Sequence, residues 1–175
     1  MFEPGQNRKI AALRTSNCVC FFIGGNMDDN FYMKEAIKEA EKAYQNGDVP
    51  VGAIIVEKDK IIARSYNKKE CNKIATDHAE IIVIQQTCQK IGDWRLNDCT
   101  LYVTMEPCLM CAGAILQSRI KRVVYGVSNP KFGYMNSIEN VLNNKRNNHT
   151  VEVISGIEYE KSQQLLQDFF KNKRH

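Results

Sequence analysis

No run of eighteen or more apolar residues occurs in this chain of 175, which excludes a membrane-spanning helix. Proline- or glycine-rich tracts, internal repeats and low-complexity blocks are also missing. At 43% apolar and 25% charged residues, the composition excludes collagen-like, coiled-coil and disordered chains. Neither sign of charge dominates, with 24 Lys and Arg against 20 Asp and Glu. The formal net charge of +4 permits a nucleic-acid partner without requiring one. No export signal is expected either, because the apolar run Cys18 to Ile23 is too short and no convincing cleavage site follows it. The seven cysteines, an odd number, are therefore not a disulfide framework, and metal or core roles fit them better. What remains is one soluble, cytoplasmic domain large enough for a hydrophobic core, with no membrane partner.

Residues 1–26 read differently from the rest. Arg8, Lys9 and Arg14 against Glu3 give this segment half of the net charge. Met27 is followed by Asp28-Asp29-Asn30 and a helical pattern, a sensible place for a domain to begin. Two glycine codons at Gly24-Gly25 can read GGAGGA, which contains the core of a bacterial ribosome-binding site, and Asn26 supplies a spacer. The expectation is a non-native or disordered extension over 1–26 and a working domain over 27–175.

Along that domain, Met33, Ile37, Ala40 and Tyr44 fall at helical spacing, with Asp29 or Asn30 as cap and Gly47 as stop. Val51–Glu57 and Ile61–Tyr66 are β-rich and flank a hairpin turn at Lys58-Asp59-Lys60. A polar stretch, Asn67 to Asp77, leads into a second helix ending near Gly92. Leu101–Thr104 reads as a buried strand, and Pro107–Ser118 as a third helix, apolar nearly all round and hence buried. A strand at Arg122–Val127, a short helix at Ser137–Leu142 and a strand at Val151–Ser155 follow. A final helix carries Leu165, Leu166, Phe169 and Phe170. This order predicts an α/β domain with helices covering a mixed five-stranded sheet.

The chemistry concentrates in two short motifs. Cys108 and Cys111 follow Pro107, which suits the first turn of a helix because its missing N–H is not needed there. Their spacing puts both sulfurs on one helix face, and the positive end of the helix dipole favours thiolates. His78, in His78-Ala79-Glu80, supplies a third ligand. One His and two Cys make a soft tetrahedral Zn²⁺ site with a fourth position open to water, which marks a catalytic rather than a structural centre. Glu80 can sit beside that water as general base and then general acid. Coincidence of both motifs in a chain of this composition is on the order of one in a thousand. A redox Cys pair would not need His78 and Glu80. A structural zinc would need a fourth ligand from Cys71, Cys88 or Cys99 and leave Glu80 idle. Cys88 and Cys99 read as small core residues, Trp94 as a packing anchor and His149 as structural.

His78-Ala79-Glu80 together with Glu106-Pro107-Cys108-Leu109-Met110-Cys111-Ala112-Gly113-Ala114 resembles the cytidine-deaminase-like zinc enzymes, and among them the bacterial tRNA-specific adenosine deaminases. The likeness extends through Gly47–Ala53, Leu101–Thr104, Ser118–Gly126 and Asp168-Phe169-Phe170, covering Met27 to Arg174. It implies a three-layer α/β/α fold and hydrolytic deamination of adenosine to inosine at the wobble position of a tRNA anticodon. A zinc-activated hydroxide would attack C6 of the adenine while Glu80 moves the protons. The same resemblance implies that Asn67, the backbone of Ala79, the wall Pro50-Val51, and Asn129 and Lys131 contact the substrate. It also implies a homodimer acting on the anticodon stem-loop.

Two departures stand out. Ile74-Ala75-Thr76-Asp77 replaces the family's Asp-Pro-Thr-Ala before His78, and Asn129-Pro130-Lys131-Phe132-Gly133 replaces Asp-Pro-Lys-x-Gly. In the family that aspartate lies near the target nucleotide's sugar and backbone. An amide there removes a charge that repels phosphate and an acceptor that reads a 2′-OH, which predicts relaxed discrimination between RNA and DNA. Three basic groups, Arg119/Lys121/Arg122, Lys145/Arg146 and Lys171/Lys173/Arg174, could hold stem phosphates or form solvated faces. A free-nucleobase or nucleoside deaminase of guanine or cytosine type shares the zinc motif and stays open as the runner-up. A non-catalytic RNA-binding partner subunit is disfavoured by the intact Glu80.

Overall fold

Lys58 and Asp59 both adopt positive φ, 48° and 61°, the geometry of a two-residue hairpin turn whose twist matches its flanking strands. They fold β1 (Gly52–Glu57) onto β2 (Lys60–Tyr66) in the computed structural model, which describes residues 27–173. The expectation for residues 1–26 and the basic Arg174 fall outside the described residues. The other elements are α1 (Met27–Gln45), α2 (Lys69–Asn72), α3 (Ala79–Ile91), β3 (Cys99–Met105), α4 (Leu109–Gln117), β4 (Arg122–Val127), β5 (Glu152–Ser155) and α5 (Tyr159–Asn172). The sheet order is β2-β1-β3-β4-β5. β1 is antiparallel to both its neighbours, whereas β3, β4 and β5 are parallel, so the sheet is mixed as expected.

Both faces of the sheet are covered, so its central strands read as continuous apolar runs. Along β1, Ile54 and Val56 pack under α1 with Met33, Ala36, Ile37 and Tyr102. The intervening Ala53 and Ile55 face the opposite core with Ala79, Val83, Ala112 and Ile115 of α3 and α4. Gly52 lets α1 seat directly on β1, because a Cβ there would collide with the backbone of Ala36 and Ala40. With α1 and α5 on one side and α3 and α4 on the other, the architecture is the three-layer α/β/α expected from the sequence.

Strand direction gathers the site at one end of the sheet. Gly52 opposes Tyr66, and Met105 lies beside Val127. The chain just before β1 (Pro50, Val51) and just after β2 (Asn67), β3 (Glu106 to Cys108) and β4 (Asn129) therefore emerges at the same edge. The Gly52 N–H donates to Thr104 Oγ1 at 3.1 Å, which ties the start of β1 to the end of β3.

At the other end, Arg122 donates through Nη1 and Nη2 to the two carboxylate oxygens of Asp29, each at 2.8 Å, and Tyr102 Oη donates to Asp29 Oδ1 at 2.8 Å. Asp29 is 2% exposed. It is thus no helix cap: α1 begins earlier, at Met27, and Asp29 locks that helix to β3 and β4. Arg122, grouped above with phosphate-binding residues, is committed to this pair.

The helix expected at Ser137–Leu142 is absent, and turns run through this segment instead. The buried carboxylate of Glu106 outcompetes it by accepting the backbone N–H groups of Met135, Asn136 and Ser137 at Oε1 and of Asn129 at Oε2, together with the Ser137 hydroxyl. Downstream, Asn140 Oδ1 accepts from the Asn143 N–H, and Asn147 Nδ2 donates to the carbonyls of Val141 and Leu142. Such local side-chain bonds offer the backbone an alternative to helix. Burial raises the Glu106 carboxyl, but its hydrogen bonds more than reverse this and hold it below the usual carboxylate range.

Three further expectations change. The polar stretch after Asn67 contains one helical turn, α2, whose leading N–H groups from Glu70 and Cys71 donate to the buried Asp48 carboxylate at 2.8 and 2.9 Å. The third helix is only half buried: Cys111, Ala112 and Ile115 face the core, while Leu109 and Gly113 on the other face are exposed. Trp94 is no packing anchor. It is 49% exposed, with the Arg95 guanidinium 4.1 Å above its ring. Cys99 is buried and Cys88 half-buried against the core, while His149 Nε2 lies 2.7 Å from the Ile120 carbonyl oxygen, in line with a structural role.

Replacing Arg122 by Met should strip the bidentate guanidinium from the buried Asp29 and cost about 3 kcal/mol, read as a lower urea midpoint at unchanged slope. Glu106→Gln should lose about 2 kcal/mol and raise hydrogen exchange at Asn129, Met135, Asn136 and Ser137 more than in the sheet.

Candidate active site

His78 and Cys108 are both helix-capping residues with extended backbones, at φ −79°, ψ 149° and φ −76°, ψ 174°. Each stands where a chain segment turns into a helix, so the N-termini of α3 and α4 converge on one point. Their dipoles favour anionic ligands there. Cys111, one turn into α4, turns its sulfur back to the same place. Cys108 Sγ lies 3.7 Å and Cys111 Sγ 3.6 Å from His78 Nδ1, and the sulfurs are 3.7 Å apart. A tetrahedral zinc centre with Zn–S of about 2.3 Å and Zn–N of about 2.0 Å spans about 3.8 Å between sulfurs and about 3.5 Å between sulfur and nitrogen. The donor triangle fits such an ion. Among the described residues no fourth Cys, His, Asp or Glu joins the group, and Cys71 is exposed away from it. A zinc ion held by these three donors would keep one coordination position open.

Electrostatics couple the three donors to one another. Hydrogen bonding with Cys111 holds the Cys108 thiol down to about 4 despite burial, and the imidazole beside it adds to the effect. The bond to Cys108, followed by burial, pushes the Cys111 thiol upward. The hydrogen bond with Cys108 also raises His78. Glu80, on the first turn of α3, is 4% exposed and within hydrogen-bond reach of the Cys111 thiol. Burial raises its carboxyl above the ordinary range, the direction required of a group that must both take and give a proton near neutral pH.

The residues expected to touch substrate leave the sheet at the same edge as Cys108 or, for Ala79, directly follow His78. Pro50, Val51 and Ala79 are buried, and the Asn67 N–H donates to the Val51 carbonyl at 2.9 Å. Asn67 is 6% exposed, and its Nδ2 lies 3.4 Å from Asp48 Oδ1. Asp48 thus orients Asn67 and anchors α2 at once, a role that sequence reading missed because an aspartate before a strand carries no motif. Asn129 is 9% exposed, and the loop bearing it is pinned to the residues before Cys108 by Glu106 and by a 3.0 Å bond from the Tyr134 N–H to the Pro107 carbonyl. Lys131 projects from that loop into solvent.

The basic groups divide differently from the expectation. Arg119, Arg146, Trp94 and Leu116 line a cavity of about 300 Å³ at the far end of α4, one helix length of about 14 Å from the ligands. Arg119 Nη1 there donates to the Asn148 carbonyl and Oδ1 at 3.1 and 2.9 Å. Nearer the centre stand Lys68 and Lys69, and Lys69 acts electrostatically on His78. These two follow Asn67 directly, and that adjacency was the available signal.

A family model described as MafB19-like deaminase matches residues 27–174. The tRNA-specific adenosine deaminase of Bacillus subtilis (strain 168) is 47% identical over 146 residues, covering 83% of this chain and 91% of that relative. A solved structure from work on A-to-I editing by tRNA:A34 deaminases at the wobble position of transfer RNA superposes with a TM-score of 0.75 at 39% identity. It covers 78% of this chain and 99% of its own. A guanine deaminase from Nitrosomonas europaea shares the fold at 20% identity and a TM-score of 0.71, over 80% of this chain and 83% of its own. By sequence and by fold alike, this chain belongs to the MafB19-like deaminase family and, within it, with the tRNA-specific adenosine deaminases.

Proposed function

We propose that this protein hydrolyses adenosine to inosine at the wobble position of a tRNA anticodon, using one Zn²⁺ held by His78, Cys108 and Cys111. The carrying observation is the three-donor triangle, open on one side, with the buried Glu80 beside it in a chain of this family. Zn²⁺, when bound, supplies the Lewis acidity that makes hydroxide available from water near neutral pH. Glu80 takes the water's proton, passes it to the ring nitrogen adjoining C6, and returns a proton to the departing amine. Pro50 and Val51 wall the pocket. Ala79 opens α3, so its backbone N–H has no partner within the helix and is available to the base. Asn67, held by Asp48, binds the nucleoside, and Asn129 and Lys131 meet its sugar and backbone. Because the target lies in a loop, extruding it costs less than unpairing a duplex.

A homodimer fits the open face of α4. Leu109, Gly113 and Leu116 recur at helical spacing there, a Cβ at Gly113 would meet nothing within 4 Å, and exposed Trp94 adjoins Leu116. A bare glycine in an apolar stripe leaves room for a second backbone, and burying such a patch removes it from water. None of the described helices is long and apolar enough to cross a membrane. A cytoplasmic location accords with a tRNA substrate.

With an anticodon stem-loop bearing a wobble adenosine, and with free adenine, guanine and cytosine bases or nucleosides, inosine should form in the stem-loop alone. Turnover of free guanine or cytosine and not of the stem-loop would assign the chain to the nucleobase deaminases. Glu80→Ala should abolish turnover while zinc stays near one per chain; loss of the metal as well would refute the proton-shuttle role. Asn129→Asp should raise the ratio of RNA to DNA hairpin turnover, since the added carboxylate can read a 2′-OH and repels phosphate. An unchanged ratio would overturn that assignment.

A further inference from the structure

Phe132, at 66%, is the most exposed large apolar side chain among the described residues. A single exposed apolar residue needs no explanation by itself, but three features separate this one from the ordinary case. The first is rigidity. Asn129 Oδ1 accepts the Phe132 N–H at 3.2 Å, and the Asn129 carbonyl accepts the Gly133 N–H at 2.7 Å. Gly133 has no room for a Cβ against the Glu106 carboxylate, so the turn cannot shift inward. The backbone that presents the ring is held on both sides, yet two thirds of the residue stays open to solvent and its ring stacks on no aromatic or cationic group among the described residues.

Position is the second feature. The loop lies along Glu106 and Pro107, the two residues that precede the ligand Cys108, through the bonds from Asn129 and Tyr134. A side chain leaving this loop toward solvent stands at the rim of the candidate active site. The third is charge. The neighbouring Lys131 is exposed and has no ion-pair partner among the described residues, and Lys69 contributes a second cation near His78. A held aromatic face beside an unpaired cation is the combination that binds single-stranded nucleic acid, the ring taking a base and the ammonium a phosphate.

Accepting the proposed reaction, on which this step rests, the extruded adenosine leaves the base beside it with one bare face. We infer that Phe132 is the platform on which that flanking base stacks, with Lys131 at the phosphate joining the two nucleotides. The phenyl ring has no donor or acceptor, so it reads a base's face and not its edge. It positions the strand with little regard to which base flanks the target. The position it occupies is the unspecified x of the family's Asp-Pro-Lys-x-Gly, so the device belongs to this chain's own sequence.

The test is equilibrium binding of a labelled anticodon stem-loop to wild type, Phe132→Ala and Phe132→Tyr, with inosine formation measured in parallel. Stem-loops with an abasic nucleotide immediately 5′ or 3′ of the target complete the set. Phe132→Ala should weaken binding about tenfold to a hundredfold, with zinc content and melting temperature unchanged, and Phe132→Tyr should restore it. An abasic nucleotide on one flank should weaken wild type by a similar factor and add nothing further in Phe132→Ala. Wild-type affinity in Phe132→Ala, losses that add for both flanks, or a change of oligomeric state in place of RNA affinity would each overturn the assignment. Tight binding that depends on Phe132 without inosine formation would instead sink the proposed reaction and leave the stacking contact standing.

Discussion

Strand polarity is the constraint on which the rest of the molecule depends. With β1 antiparallel to β2 and β3, and β3 to β5 parallel, the start of one strand and the ends of the other four open at the same edge. Crevices outside the carboxyl ends of parallel strands are where open α/β sheets bind ligands. Here that edge also receives the N-termini of two helices, each preceded by one of the proposed metal ligands, His78 and Cys108. Reversing β1 would send Pro50, Val51 and Asn67 to the opposite edge, where Asp29 and Arg122 close the sheet.

Glu106 converts this topology into a fixed site. One carboxylate takes four backbone N–H groups and a hydroxyl from a loop that forms no regular structure of its own. A buried carboxylate is costly unless its acceptor sites are filled, and this one is filled by the loop that carries Asn129, Lys131 and Phe132. Glu106, just after β3 and two residues before Cys108, therefore also sets where that loop stands relative to His78, Cys108 and Cys111.

Much of this was legible in the sequence. Short-range signals carried well: the hairpin at Lys58-Asp59, the stop at Gly92, and the Pro-Cys-x-x-Cys turn all depend on neighbours within a few residues. The His78, Glu80, Cys108 and Cys111 group was legible because the spacing within each half is local. What failed depended on distant partners. The apolar period of Ser137–Leu142 gave way to Glu106, thirty residues back in the chain. Arg122 looked like a free cation because Asp29 lies 93 residues away. Trp94 and the outer face of α4 looked like core because hydrophobicity alone does not say which chain will cover a surface. Asp48 and Lys69, which no pattern singled out, matter only through what the fold brings beside them.

The proposed metal ligands His78 and Cys108 sit at helix starts whose following turns are packed into a core of Val83, Ala112, Ile115, Leu101 and Val123, all fully buried. Small zinc domains use the ion to fold and unravel without it. In this protein apolar packing already sets the positions of the helix ends, so coordination need not supply the free energy of folding. A bound ion would then be an exchangeable reagent in a ready-made socket, and its removal and reloading would change the chemistry and leave the architecture alone.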